Sequence, residues 1–167
     1  MRKITYGLIV LGTGLSVVLL GRDRRSPYEG EVAGRASRQL MAEHEVILEV
    51  LRAAEAEAGR IRQGFTMDEN RVRDIVDFSR NFTDRCHHGK EERFYFPAVR
   101  VYAGPRVYAV LDDLAAEHAY ARSVLEEIDY LLGGGDEREL AKLVAERLSM
   151  YVSTLRRHIQ RENAQLY

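Results

Sequence analysis

Residues 87–97 read HHGKEERFYFP, and the step of four from His87 to Glu91 decides how the chain is read. In an α-helix that step puts two side chains on one face, one turn apart. The same step recurs at His158 and Glu162. Working outward from His87, residues Val72, Val76, Ser79, Thr83, His87, Glu91 and Phe94 recur at threes and fours. That stripe predicts one long helix from about Asp68 to Tyr102. Thr66-x-x-Glu69 has the form of a capping box at its start, and Gly104-Pro105 breaks it.

Three further stripes complete the pattern. Leu40, His44, Ile47, Leu48 and Leu51 predict a helix from about Glu31 to Gln63, ended by Gly64. Leu111, Leu114, His118, Leu125, Ile128 and Leu132 predict a third from about Arg106 to Leu132. After the turn Gly133-Gly134-Gly135, Asp136-x-x-Glu139 resembles a second capping box. It opens a helix to Gln165 that aligns Leu140, Val144, Arg147, Tyr151, Leu155, His158 and Glu162. Long amphipathic helices with short loops predict an all-α fold, an antiparallel up-down-up-down four-helix bundle over residues 36–167. Residue counts from the turns bring His44 level with His87 and His87 level with His118. Those for His118 and His158 are unequal, which calls for a longer or offset third connection.

Composition sets the outer bounds. A chain of 167 residues is expected to form one domain, and 46% hydrophobic with 31% charged residues is enough for a core. Lys plus Arg is 25 against 26 Asp plus Glu, so no charge excess points to nucleic acid. One cysteine, Cys86, excludes an intrachain disulfide and a Cys-rich zinc site, and reads as a small packing residue.

Ile4 to Leu20, ITYGLIVLGTGLSVVLL, carries no charge and is flanked by Arg2, Lys3, Arg22, Arg24 and Arg25. Seventeen helical residues span about 25 Å, the short end of a membrane span. Residues 1–22 therefore read as a membrane anchor and 23–35 as a polar linker. A cleaved signal peptide is the alternative, though no A-x-A-like site follows; an apolar helix packed on the protein is a third. The flanking charges nearly balance, with a lean towards a cytoplasmic soluble domain.

The chemistry lies on the stripes. Each helix places one histidine inward: His44, His87, His118 and His158. Two helices add a carboxylate four residues on, Glu91 and Glu162. Burying four imidazoles and two carboxylates without compensation is costly, and a metal centre compensates. Four histidines fill four positions, and two glutamates, if each bridges, fill four more. With a bridging oxo or hydroxo group, two six-coordinate ions keep roughly one open position each. Imidazole with carboxylate suits iron, with manganese or zinc as alternatives.

These residues resemble the hemerythrin-like (HHE) cation-binding domains. His87 to Pro97 is similar to the HHxxEExxxFP core of that family, and Glu43-His44, Glu117-His118 and His158 to Asn163 fall where it has its other ligand segments. The resemblance covers about residues 36–167. It implies a non-haem di-iron centre, with His44, His87, His118 and His158 as terminal ligands and Glu91 and Glu162 bridging. Oxygen-carrying hemerythrins have a second histidine where Arg122 stands here, and an aspartate five residues after the last histidine rather than Glu162 at four. The six-residue set is closer to proteins that repair iron centres or act on peroxide or nitric oxide.

His88 shares a face with Asn81, Asp84 and Arg85 and reads as a surface or supporting residue; Glu92 reads as a solvated charge. Glu43 and Glu117 are proton-relay candidates or helix-surface charges. Tyr95 and Tyr151 are the candidate catalytic residues, as donors to a bound oxygen species. Three functions fit such a centre. One is reversible binding or sensing of oxygen or nitric oxide at the membrane. The second is an enzyme acting on peroxide or nitric oxide, and the third an iron donor to damaged clusters.

Overall fold

The computed structural model describes residues 27–134 and 137–167, with side chains described at 34–134 and 138–167. The anchor expected at 1–22, the start of the linker and the box residue Asp136 lie outside the described residues. Among the described residues no helix is long and apolar enough to cross a membrane.

The fold is all-helical, as expected. Helix α1 (Pro27–Arg62) begins inside the stretch read as linker. It ends at Gly64, whose φ of 90° lets the chain reverse. Gly64 N–H donates to the Ile61 carbonyl and Phe65 N–H to that of Arg60, the paired bonds of a Schellman cap. The next helix opens on Asp68 rather than Thr66: the Asp68 carboxylate accepts from Arg71 N–H at 3.1 Å. Glu57, fully buried on α1, accepts from Asp68 N–H at 2.9 Å and from Arg60 at 2.7 Å, so it ties the two helices at their turn.

The stretch expected as a single α-helix changes character along its length. α2 (Glu69–Phe78) passes into a π-helical segment, Ser79–His88. A second one, Glu91–Tyr95, leads into α3 (Phe96–Ala103). A π turn closes its hydrogen bond one residue later than an α turn, and each one shifts the phase of the residues beyond it. Pro97 falls at the π-to-α junction, where its missing N–H is best tolerated. Phe94 is corrected from core to surface, 70% exposed. Cys86 is also exposed rather than packed.

Gly104, at φ 72°, starts a 3-10 turn, Gly104–Val107, that leads into α4 (Tyr108–Leu131); α5 (Glu137–Gln165) completes the chain. Leu148 takes the core place expected for Arg147, which pairs with Glu127 at the surface. His118 and His158 meet although His158 lies much further from its turn. At 1.5 Å per residue the start of α5 extends about 12 Å past the end of α4.

Two apolar clusters form the core from Arg35 onward. The larger holds Ile47, Leu51, Val72, Val76, Leu125, Leu148 and Leu155 among others; the smaller holds Phe96, Leu111 and Leu114. Along α4, Leu114 belongs to one and Ala121 to the other, and His118 stands between them. Along α4 the polar layer therefore falls between the two apolar clusters.

Candidate metal centre

Seven side chains make that layer: His44, His87, His88, Glu91, His118, His158 and Glu162, none more than 2% exposed. The six expected from the sequence come together. His88, expected at the surface, is buried with them.

In four of the five histidines Nδ1 is held. His44 Nδ1 meets Asn163 Oδ1 at 2.9 Å, His87 meets Glu43 at 2.9 Å, His118 meets Glu92 at 2.8 Å and His158 meets Glu117 at 2.9 Å. Each acceptor can accept only if Nδ1 carries the hydrogen. The Nε2 lone pair is then left to face the interior, the arrangement that metal-binding histidines use. A cation braces each carboxylate in turn: Lys90 on Glu43, Arg122 on Glu92 at 2.6 Å and Arg161 on Glu117 at 2.6 Å. Glu92 is therefore not a free solvated charge. Its hydrogen bond to His118, aided by Arg122 against partial burial, holds its carboxyl down at about 2. For Glu43, burial pushes the pKa up, but Lys90 and His87 outweigh it and hold it low.

The carboxylates inside face the ring nitrogens from two sides. Glu91 Oε1 is 3.3 Å from His87 Nε2, and Glu91 Oε2 is 3.4 Å from His118 Nε2. Glu162 Oε2 is 3.2 Å from both His44 Nε2 and His158 Nε2. Donor atoms thus fall into two groups, each within 4.8 Å: His44, His87, Glu91 and Glu162 in one, and His88, Glu91, His118 and His158 in the other.

The chemistry of this set fits metal cations. His44 Nε2, His87 Nε2, His88 Nδ1, Glu91 Oε2 and both oxygens of Glu162 are buried with no hydrogen-bond partner. Such orphans normally cost about 1–3 kcal/mol each. His118 Nε2 and His158 Nε2 lie only 2.9 Å apart. With both Nδ1 positions protonated, two lone pairs face each other unless a cation or proton lies between. Two nitrogens about 2.1 Å from one ion, at right angles, are about 3.0 Å apart. Burial lowers the pKa of His87 and His158, but Glu91 and Glu162 respectively outweigh it and raise both. Burial also raises that of Glu162, and His158 and His44 pull it below the usual range. For His88, burial and then the neighbouring imidazoles push the pKa well below 6.5, so its ring is neutral.

Neither tyrosine chosen from the sequence is bonded to the inner carboxylates. Tyr151 is 1% exposed; burial raises its pKa, and Ser79 and Thr83 bond its hydroxyl. Tyr95 bonds Ser37 at 2.8 Å and donates to the Leu166 carbonyl at 3.3 Å. The tyrosine that reaches the centre is Tyr167, whose hydroxyl donates to Glu91 Oε1. Its ring lies 5.2 Å from Tyr95 and 5.7 Å from His44. Burial and the charges of Glu91 and Glu162 raise its pKa, so it is a phenol and not a phenolate. The sequence pattern carried no sign of it, because it lies past the last stripe.

His88 did leave a sign. Ser79, Thr83, His87 and Glu91 succeed one another at fours. Over twelve residues an α-helix turns such a series about 120° off its face. All four are nevertheless buried, and the π segment Ser79–His88 runs under most of the series.

The profile of the hemerythrin HHE cation binding domain matches residues 35–167. The chain belongs to the hemerythrin HHE cation-binding family. No curated protein and no solved structure matches it. Within this hemerythrin domain, Arg122 stands one turn after His118 and braces Glu92 and Asp84 instead of facing the donors.

Proposed function

We propose that the domain is an antiparallel four-helix bundle whose centre holds two iron ions, joined by an oxo or hydroxo group, and that it binds a small diatomic ligand, oxygen or nitric oxide. His44 and His87 serve one ion and His118 and His158 the other, with Glu91 and Glu162 shared. The observation that carries this reading is the double facing of the carboxylates. Glu91 offers one oxygen to each histidine pair, and Glu162 Oε2 is equidistant from His44 and His158. When bound, iron supplies redox change and positions open to a diatomic ligand. The chain's residues do the rest. The outer carboxylates fix the imidazole tautomers, the apolar clusters exclude water, and Tyr167 holds a proton at Glu91 Oε1.

A second reading, an enzyme acting on peroxide or nitric oxide, is favoured by that phenol, a proton donor at the centre. The apolar residues 4–20 would keep either activity at a membrane.

The test uses the full chain purified from iron-replete cells. About two irons per chain, with a visible spectrum that changes reversibly with oxygen or nitric oxide, supports ligand binding. Peroxide turnover that is lost in Glu91→Ala and slowed in Tyr167→Phe supports the enzyme. No metal, or a single zinc, overturns the di-iron reading. Recovery of the full chain without detergent in the soluble fraction overturns the membrane placement.

A further inference from the structure

His88 is the one inner histidine for which the six-residue set has no use. It is 2% exposed, yet its Nδ1 has no hydrogen-bond partner. The Asp84 carboxylate oxygen Oδ1 is 3.6 Å away, beyond hydrogen-bond range, and is taken by Arg122 Nε at 2.6 Å. No acceptor holds its Nδ1 as Asn163, Glu43, Glu92 and Glu117 hold those of the other four. His88 is the last residue of the π segment Ser79–His88, so the uniform 100° step of an α-helix does not set the direction it faces. π turns of this kind are rare and cluster at functional sites. One of its ring nitrogens lies within 4.8 Å of the donor atoms of Glu91, His118 and His158, a group that includes neither His44 nor His87.

We propose that His88 is a seventh protein ligand and gives the ion at His118 and His158 a third imidazole. The inference rests on the di-iron reading. It makes the two ions unequal. The His44 and His87 ion keeps two imidazoles and lies on the side of Tyr167, while the His118 and His158 ion is closer to saturation.

The rival role is a packing wall. His88 lies flat on His118, with centroids 3.7 Å apart and planes 11° apart. A wall needs a ring, and a ligand needs a donor atom. His88→Phe keeps the ring and removes the donor; His88→Glu does the reverse. The full chain and both variants are loaded with iron, challenged with a chelator, and compared by iron content and Mössbauer spectroscopy. Two unequal iron signals are expected in the unaltered chain. His88→Phe should change one of them alone and lose that iron at least tenfold faster, and His88→Glu should restore retention. If His88→Phe fails to fold, His88→Ala replaces it, with retention expected to return on adding free imidazole. A His88→Phe or imidazole-free His88→Ala protein that keeps both irons with unchanged spectra overturns the seventh ligand and leaves the di-iron reading standing. An unaltered chain that holds no iron overturns both.

Discussion

At the residue scale, the candidate metal centre is shaped by what lies behind the six donor side chains. Glu117 holds His158 Nδ1 and is braced by Arg161; Glu43 and Glu92 repeat the arrangement for His87 and His118. Removing an acceptor frees the ring to rotate and lowers its basicity, which typically costs 10–100-fold in metal affinity. Glu117→Ala is therefore expected to weaken iron binding by about that factor, measured by chelator competition, with helix content by circular dichroism unchanged. Glu126→Ala, an exposed carboxylate on the same helix, is the control and should have no effect. The six donors were legible in the sequence because each falls on a stripe that also carries core residues. Their acceptors were seen only as neighbours, since one sequence cannot show which exposed-looking glutamate faces a ring on another helix. Asn163 was hidden for the same reason, and Tyr167 because it lies past the last stripe.

At the element scale, the position of His88 was lost where the helix stops being α. A uniform 100° per residue puts His88 beside Asn81 and Arg85, whereas the chain is π-helical from Ser79 to His88 and His88 is buried with His87. The run of fours from Ser79 to Glu91 was the available signal, and helical existence and approximate ends were readable throughout. Deleting Gly89 shortens the step from His87 to Glu91 from four to three. The variant should remain helical by circular dichroism and hold less than half the iron of the unaltered chain. Full retention would mean that this register does not set the site. The turn before α2 gives a second expectation. Glu57 is wholly buried and binds Asp68 N–H, Arg60 and Arg71 across the connection. Glu57→Ala leaves that N–H without its partner, so unfolding in urea should require about 1–3 kcal/mol less. Iron content at room temperature should not change, because Glu57 touches none of the ligands.

At the scale of the whole molecule, the polar layer makes stability depend on protons and metal together. Glu92 has its carboxyl at about 2 in the folded chain against 4.5 ordinarily, so its stabilising effect is present above about 4.5 and fades as pH falls towards 2. His87 and His158 have raised values, since their protonated rings pair with Glu91 and Glu162. Their effect is fully present below 6.5 and is lost as pH rises through the folded-state values. The metal-free chain is thus best held together in mildly acid solution. Metal reverses the trend, because it needs those ring nitrogens without their protons and binds more tightly as pH rises. Free metal at a thousandfold excess over its dissociation constant adds about 4 kcal/mol of stability. The difference in Tm between loaded and metal-free chain should therefore widen from about pH 5 to about pH 8, by roughly 10 °C or more. Calorimetry of both forms across that range checks it, together with proton release on loading read by an indicator dye. A gap that stays constant with pH would mean that His87 and His158 do not exchange protons for metal.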